Sequence, residues 1–130
     1  RFSSKLIIQL TKLGRGAPVL LDVELKENTL LVRPSGELDL GVADYLRNTL
    51  EETLDRGQAR NLVVNLAKVS FIDSSGLGVL LGRYKRLSKS GGKVFIVSPQ
   101  PHVRKVLELS GIFRIMNECP SEKEALRKIG

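Results

Sequence analysis

Leu62-Val63-Val64-Asn65-Leu66, followed by Phe71-Ile72-Asp73-Ser74-Ser75-Gly76-Leu77-Gly78, is the stretch from which the fold is read. The first run is short and nearly all apolar, as suits a strand covered on both faces. Leu77, Leu80, Leu81, Tyr84 and Leu87 then recur at helical spacing. A buried strand therefore gives way to a helix, and Asp73, Ser74 and Ser75 arrive at that helix's N-terminus. Free backbone N–H groups and the macrodipole favour negative charge there. A phosphate on one of the serines is tolerated in such a field, and the glycines leave room for a protein or a nucleotide to come close.

Outward from this turn the patterning is regular. Leu21, Val23 and Leu25 alternate with Asp22, Glu24 and Lys26, which is a strand with one wet face. Glu27-Asn28 turns the chain into Thr29-Leu30-Leu31-Val32-Arg33, a hairpin that Pro34-Ser35-Gly36 is expected to stop. A helix is predicted near 41–56 from Val42, Leu46, Leu50 and Leu54, with Asp39 as a cap and Gly57 past its end. The buried strand at 60–66 and the helix at 75–89 follow, the latter ending in Lys85, Arg86, Lys89 and Gly91-Gly92. Val94-Phe95-Ile96-Val97 reads as another strand. Pro99 and Pro101 open a third helix, with Val103, Val106 and Leu107 inward and Gly111 closing it. Ser121 with Glu124 is a capping box for a last helix. The expected order is ββαβαβαα: an α/β fold with a small mixed sheet of about four strands and helices packed against it.

At 130 residues the chain is one domain. It begins at Arg1, and the breaker cluster Gly14-Arg15-Gly16-Ala17-Pro18 marks residues 1–18 as an extension expected outside the fold, with the domain at 19–130. No apolar run approaches the roughly 18 residues that span a bilayer. A single cysteine, Cys119, excludes an internal disulfide framework and suits a cytoplasmic location, so no membrane contact is expected. The formal charge of +7 is uneven: residues 1–18 supply four of those charges through Arg1, Lys5, Lys12 and Arg15. No helix carries an Arg/Lys stripe interleaved with aromatics, so direct nucleic-acid binding is not expected.

Candidate chemistry is sparse. The only histidine, His102, has no Gly-x-Ser-x-Gly companion, so serine-hydrolase catalysis is not supported. One Cys and one His far apart make no metal site. Gly76-Leu77-Gly78 with Gly82 misses the dinucleotide spacing and no Walker lysine follows, which leaves nucleotide binding at the helix N-terminus open but weakly signalled. Gly78 and Gly82 are read as permitting close packing against the sheet. Glu37 and Asp39, two apart on an extended segment, face one side, either as a cap and a solvated acid or as a docking point for a partner's arginine. Asp73 is open between cap and docking group. Ser74 and Ser75 are open between N-cap and phosphorylation site, and nothing local chooses between them.

Gly36-Glu37-Leu38-Asp39, the 62–66 strand, Ser70-Phe71-Ile72-Asp73-Ser74-Ser75-Gly76-Leu77-Gly78 and Gly82-Arg83-Tyr84-Lys85 together resemble the anti-sigma-factor antagonists, the STAS domains. The similarity runs from about Leu20 to the C-terminus, and Gly82–Lys85 points to the sporulation-type members. The resemblance implies a non-enzymatic protein without cofactor, metal or catalytic residues. It implies binding to an anti-sigma factor that is also a serine kinase, which frees the sigma factor. It implies phosphorylation at Ser74, which switches binding off, and reversal by a PP2C-type phosphatase. The implied docking surface comprises Gly36, Glu37 and Asp39 with Asp73, Ser74, Ser75, Gly76, Leu77 and Gly78. A nucleotide-binding STAS module and a stress-signalling scaffold are the alternatives.

Overall fold

Strands whose two faces are both apolar need cover on both sides, and that requirement organises this molecule. The computed structural model describes residues 3–12, 14 and 16–130. Seven strands form one mixed sheet: β1 (Ser3–Leu10), β2 (Val19–Lys26), β3 (Thr29–Leu38), β4 (Asn61–Asn65), β5 (Lys68–Ile72), β6 (Val94–Val97) and β7 (Asn117–Cys119). The order is β1-β2-β3-β4-β6-β7, with β5 also on β3. β1, β2 and β3 are antiparallel neighbours, whereas β3, β4, β6 and β7 run parallel. Helices α1 (Leu40–Gly57), α2 (Ser74–Ser88) and α3 (Pro101–Ser110) make the crossovers, and α4 (Glu122–Ile129) closes the chain.

The main core lies on one face, where Val42, Leu46, Leu50 and Leu54 of α1 and Val79, Leu80 and Leu87 of α2 join Leu21, Leu30, Leu62 and Ile96. On the other face a smaller cluster of Leu31, Val63, Phe95, Val97 and Cys119 packs with Ala125, Leu126 and Ile129 of α4. The N-terminus of α4 is tied down by Arg33, whose Nε donates to Glu122 Oε2 at 2.7 Å, while Asn65 Nδ2 donates to the same oxygen at 2.8 Å. Arg33 also meets Asp22 and Glu24.

The α/β class and the four helices agree with the sequence reading; the sheet is larger. Residues 1–18, expected outside the fold, supply β1, which pairs with β2 from Ser3↔Lys26 to Leu10↔Val19. Leu10 is buried and Ile8 packs against the core, so the strand has an apolar face to hide. Arg1 and Arg15, two of the four cations counted there, lie outside the described residues. Nor does Pro34-Ser35-Gly36 stop β3. Between Val32 and Ser35 the strand passes from β4 to β5 as its parallel neighbour, and Pro34 falls in that gap, where no parallel ladder bond is asked of it. A register shift at Gly36/Glu37 follows, with Gly36 at φ +124°, a conformation that glycine alone adopts readily.

Candidate functional site

β3 and β5 run parallel and end together, Leu38 beside Ile72, and each is followed by an aspartate and then a helix. Asp39 caps α1, accepting from Gly41 N at 3.0 Å through Oδ1. Asp73 caps α2 by accepting from Ser75 N at 2.8 Å and Gly76 N at 3.1 Å. Its other oxygen accepts from Leu40 N at 3.1 Å, so one carboxylate joins the N-termini of both helices. The helices can lie this close because Gly76 has no side chain. A Cβ there would press on Leu38 O and come within 2.9 Å of Ile72 Cγ1.

Ser74, the first residue of α2, is exposed, and its hydroxyl has no hydrogen-bond partner among the described residues. Ser75 is half-buried. Gly36, Asp39, Asp73 and Leu77 are also half-buried, whereas Glu37 and Gly78 are exposed. All the expected docking residues therefore gather at one pole of the sheet, with Gly76 beneath them. The packing role expected of Gly78 and Gly82 is corrected. Neither has anything within 4 Å of an added Cβ, and Gly78 faces outward in line with Ser74. Leu40 at 75% exposure and Phe71 at 45% add apolar area to the same pole. Sequence reasoning passed over both, although Leu40 follows the Asp39 cap and Phe71 directly precedes Ile72-Asp73.

Glu37 and Asp39 do face one side, and a single ammonium touches both. Lys12 Nζ stands 2.9 Å from Glu37 Oε1 and 2.7 Å from Asp39 Oδ2. The hydrogen bond to Asp39, then that to Glu37, holds the Lys12 ammonium above the ordinary lysine value.

His102 is exposed and its Nε2 contacts Ser70 O. Cys119 is a free, buried thiol. No group of three or more His, Cys, Asp or Glu is placed to hold a metal ion among the described residues. No helix among them is long and apolar enough to cross a membrane. Asp73 already occupies the Ser75 and Gly76 amides, the donors that a nucleotide phosphate would need at this helix. A recess of about 770 Å³ lined by Lys26, Arg60, Asn61 and Lys93 lies at the opposite end of the sheet and shares no residue with the Ser74 pole.

Comparison with known proteins gives a consistent result. The STAS domain profile matches residues 21–125. The anti-sigma F factor antagonist of Paenibacillus polymyxa is 38% identical over 109 residues, covering 84% of this chain and 93% of that protein. The structure of the anti-sigma factor antagonist SpoIIAA in its unphosphorylated form superposes with a TM-score of 0.74 at 31% identity, covering 84% of this chain and 95% of that one. The phosphorylated form of SpoIIAA, a Bacillus cell fate determinant, gives 0.67 at 30% identity, covering 85% and 99%.

Proposed function

The chain belongs to the STAS domain family, and from that membership we propose that it is an anti-sigma factor antagonist switched by phosphorylation of Ser74. In the unmodified state it docks on an anti-sigma factor that is also a serine kinase and frees the sigma factor. The kinase then modifies Ser74 and docking ends; a PP2C-type phosphatase resets the protein. The observation that carries the reading is the placement of Ser74. It is exposed and unpartnered at the head of α2, beside the Glu37/Asp39 pair and flanked by apolar Leu40 and Phe71. A serine in that position is open to a kinase while unbound and covered when a partner seats on the pole.

The energetics suit a switch that leaves the fold in place. A neutral hydroxyl can be covered by a partner at the cost of one shared hydrogen bond. Phosphorylation adds about −1.5 to −2 charges, and burying these unpaired beside Asp73 costs several kcal/mol. A change of about 5.5 kcal/mol carries a two-state equilibrium from mostly bound to mostly free. The α2 dipole favours the phosphate in the free protein by only about 0.3–1 kcal/mol, because the site is exposed. Asp73, already holding two of the α2 amides, opposes it. Release therefore comes chiefly from the cost in the complex.

The test is intact mass after incubation with ATP and the cognate kinase, with the modified residue mapped. One phosphate on Ser74, none on a Ser74→Ala variant, and its removal by a PP2C-type phosphatase are expected. A Ser74→Asp variant is expected to lose kinase binding while its circular dichroism and melting temperature stay near wild type. Phosphate uptake by Ser74→Ala, or undiminished binding by Ser74→Asp, would overturn the reading.

A further inference from the structure

The acidic pair of the docking pole already holds a cation, and that cation belongs to this chain. Lys12 lies just beyond β1, ahead of residue 21 where the STAS match begins. Its side chain is 5% exposed although it comes from a surface segment. Gly16 lies against the lysine stem, since a Cβ there would fall 3.1 Å from Lys12 Nζ and 3.3 Å from its Cδ. Asp39 has one carboxylate oxygen committed to Gly41 N, which leaves Oδ2 as the acceptor for an incoming cation. Lys12 Nζ holds that oxygen at 2.7 Å and reaches Glu37 at the same time. A second cation cannot take the same place.

We propose that Lys12 is an internal competitor for the cation site at Glu37 and Asp39, so that its ammonium must let go before a partner's arginine can dock. The proposal rests on the docking role given to that pair above. The contact is displaceable. A lysine offers a point charge, whereas a guanidinium presents a planar fork that can span both carboxylates. The partner therefore exchanges one set of charge-assisted bonds for a better one. Partner affinity is set by the fraction of molecules in which the lysine is out, and an antagonist with this contact is partly self-restrained.

The full chain, with Lys12→Gln and Lys12→Arg variants, is titrated with the cognate anti-sigma factor kinase by calorimetry. If the lysine occupies the site about 80–90% of the time, Lys12→Gln tightens binding roughly five- to tenfold, while Lys12→Arg, whose fork holds the same pair, binds no tighter than wild type. Amide hydrogen exchange without kinase is the second readout, with faster exchange across residues 11–18 expected in Lys12→Gln. Unchanged or weaker kinase binding by Lys12→Gln overturns the inference, as does unaltered exchange, whether or not a kinase binds. An Asp39→Asn variant separates the two levels of argument, because asparagine keeps the cap and removes the charge. If Asp39→Asn weakens docking but Lys12→Gln does not tighten it, only the competitor role fails. If Asp39→Asn made in the Lys12→Gln background binds like Lys12→Gln alone, the docking role of the pair fails and the inference with it.

Discussion

Gly76 and Gly78 sit two residues apart on α2 and make opposite demands. An alanine methyl at Gly76 would meet Leu38 O and Ile72 Cγ1, backbone and core atoms that cannot step aside cheaply. Gly76→Ala is expected to cost about 1–3 kcal/mol by overpacking, read as a lower melting temperature. Gly78→Ala meets nothing within 4 Å and gains helix propensity. It is expected to add about 1 kcal/mol of stability in thermal unfolding while weakening docking, because in the proposed complex the methyl faces the partner. The sequence held the information to separate them. Gly76 precedes buried Val79 and Leu80 by three and four residues, which puts it on the sheet-facing side, whereas Gly78 shares its face with Ser74. The spacing of Gly78 and Gly82 resembles a packing motif, but its phase relative to Val79 and Leu80 turns both glycines away from the sheet.

At the scale of elements, α4 is a helix of eight residues held by its apolar contacts with the smaller cluster and by a polar network at its N-terminus. The Arg33 and Asn65 bonds to Glu122 hold its carboxyl below the ordinary glutamate range, Arg33 being the larger cause. The sign follows from linkage. A depressed native value means the bond contributes fully above the unfolded glutamate pKa of about 4.3 and is lost as the pH falls through the lower native value. Glu122→Gln is expected to lower stability at pH 7 by about 1–2 kcal/mol and to flatten the acid limb of the stability profile, as measured by urea unfolding from pH 7 to pH 3. The Ser121 cap and the helix itself were legible, since a hydroxyl three residues ahead of Glu124 has a local cause. The Arg33–Glu122 bond was not, because its partners are 89 residues apart and no short-range pattern records them. β5 escaped for a related reason. Its pattern buries only Val69 and Ile72 of five residues, so it shows neither alternation nor a continuous apolar run.

For the molecule as a whole, the β2–β3 hairpin, β4 and β6 were readable from alternation, apolar runs and intervening helices, and β1, β5 and β7 were not. β1 was hidden because a Gly- and Pro-rich segment separates it from the strand it pairs with, and such clusters ordinarily mark a boundary. It is an edge strand whose main gain is burial of Leu10 and part of Ile8. A chain starting at Val19 is therefore expected to fold, with the same helical signature in circular dichroism, and to lose about 2–4 kcal/mol in denaturant unfolding. Failure to fold would make β1 part of the cooperative unit rather than an addition to it. Burial of the sole cysteine has a practical consequence on the same scale. Cys119 is shielded at 1% exposure, so the native surface offers no thiol to a maleimide. A dye attached through Gly82→Cys, where an added side chain meets nothing within 4 Å, would thus be single and site-defined without first removing Cys119. It would stand about two helical turns along α2 from Ser74, near enough to report in real time whether the pole is covered or bare.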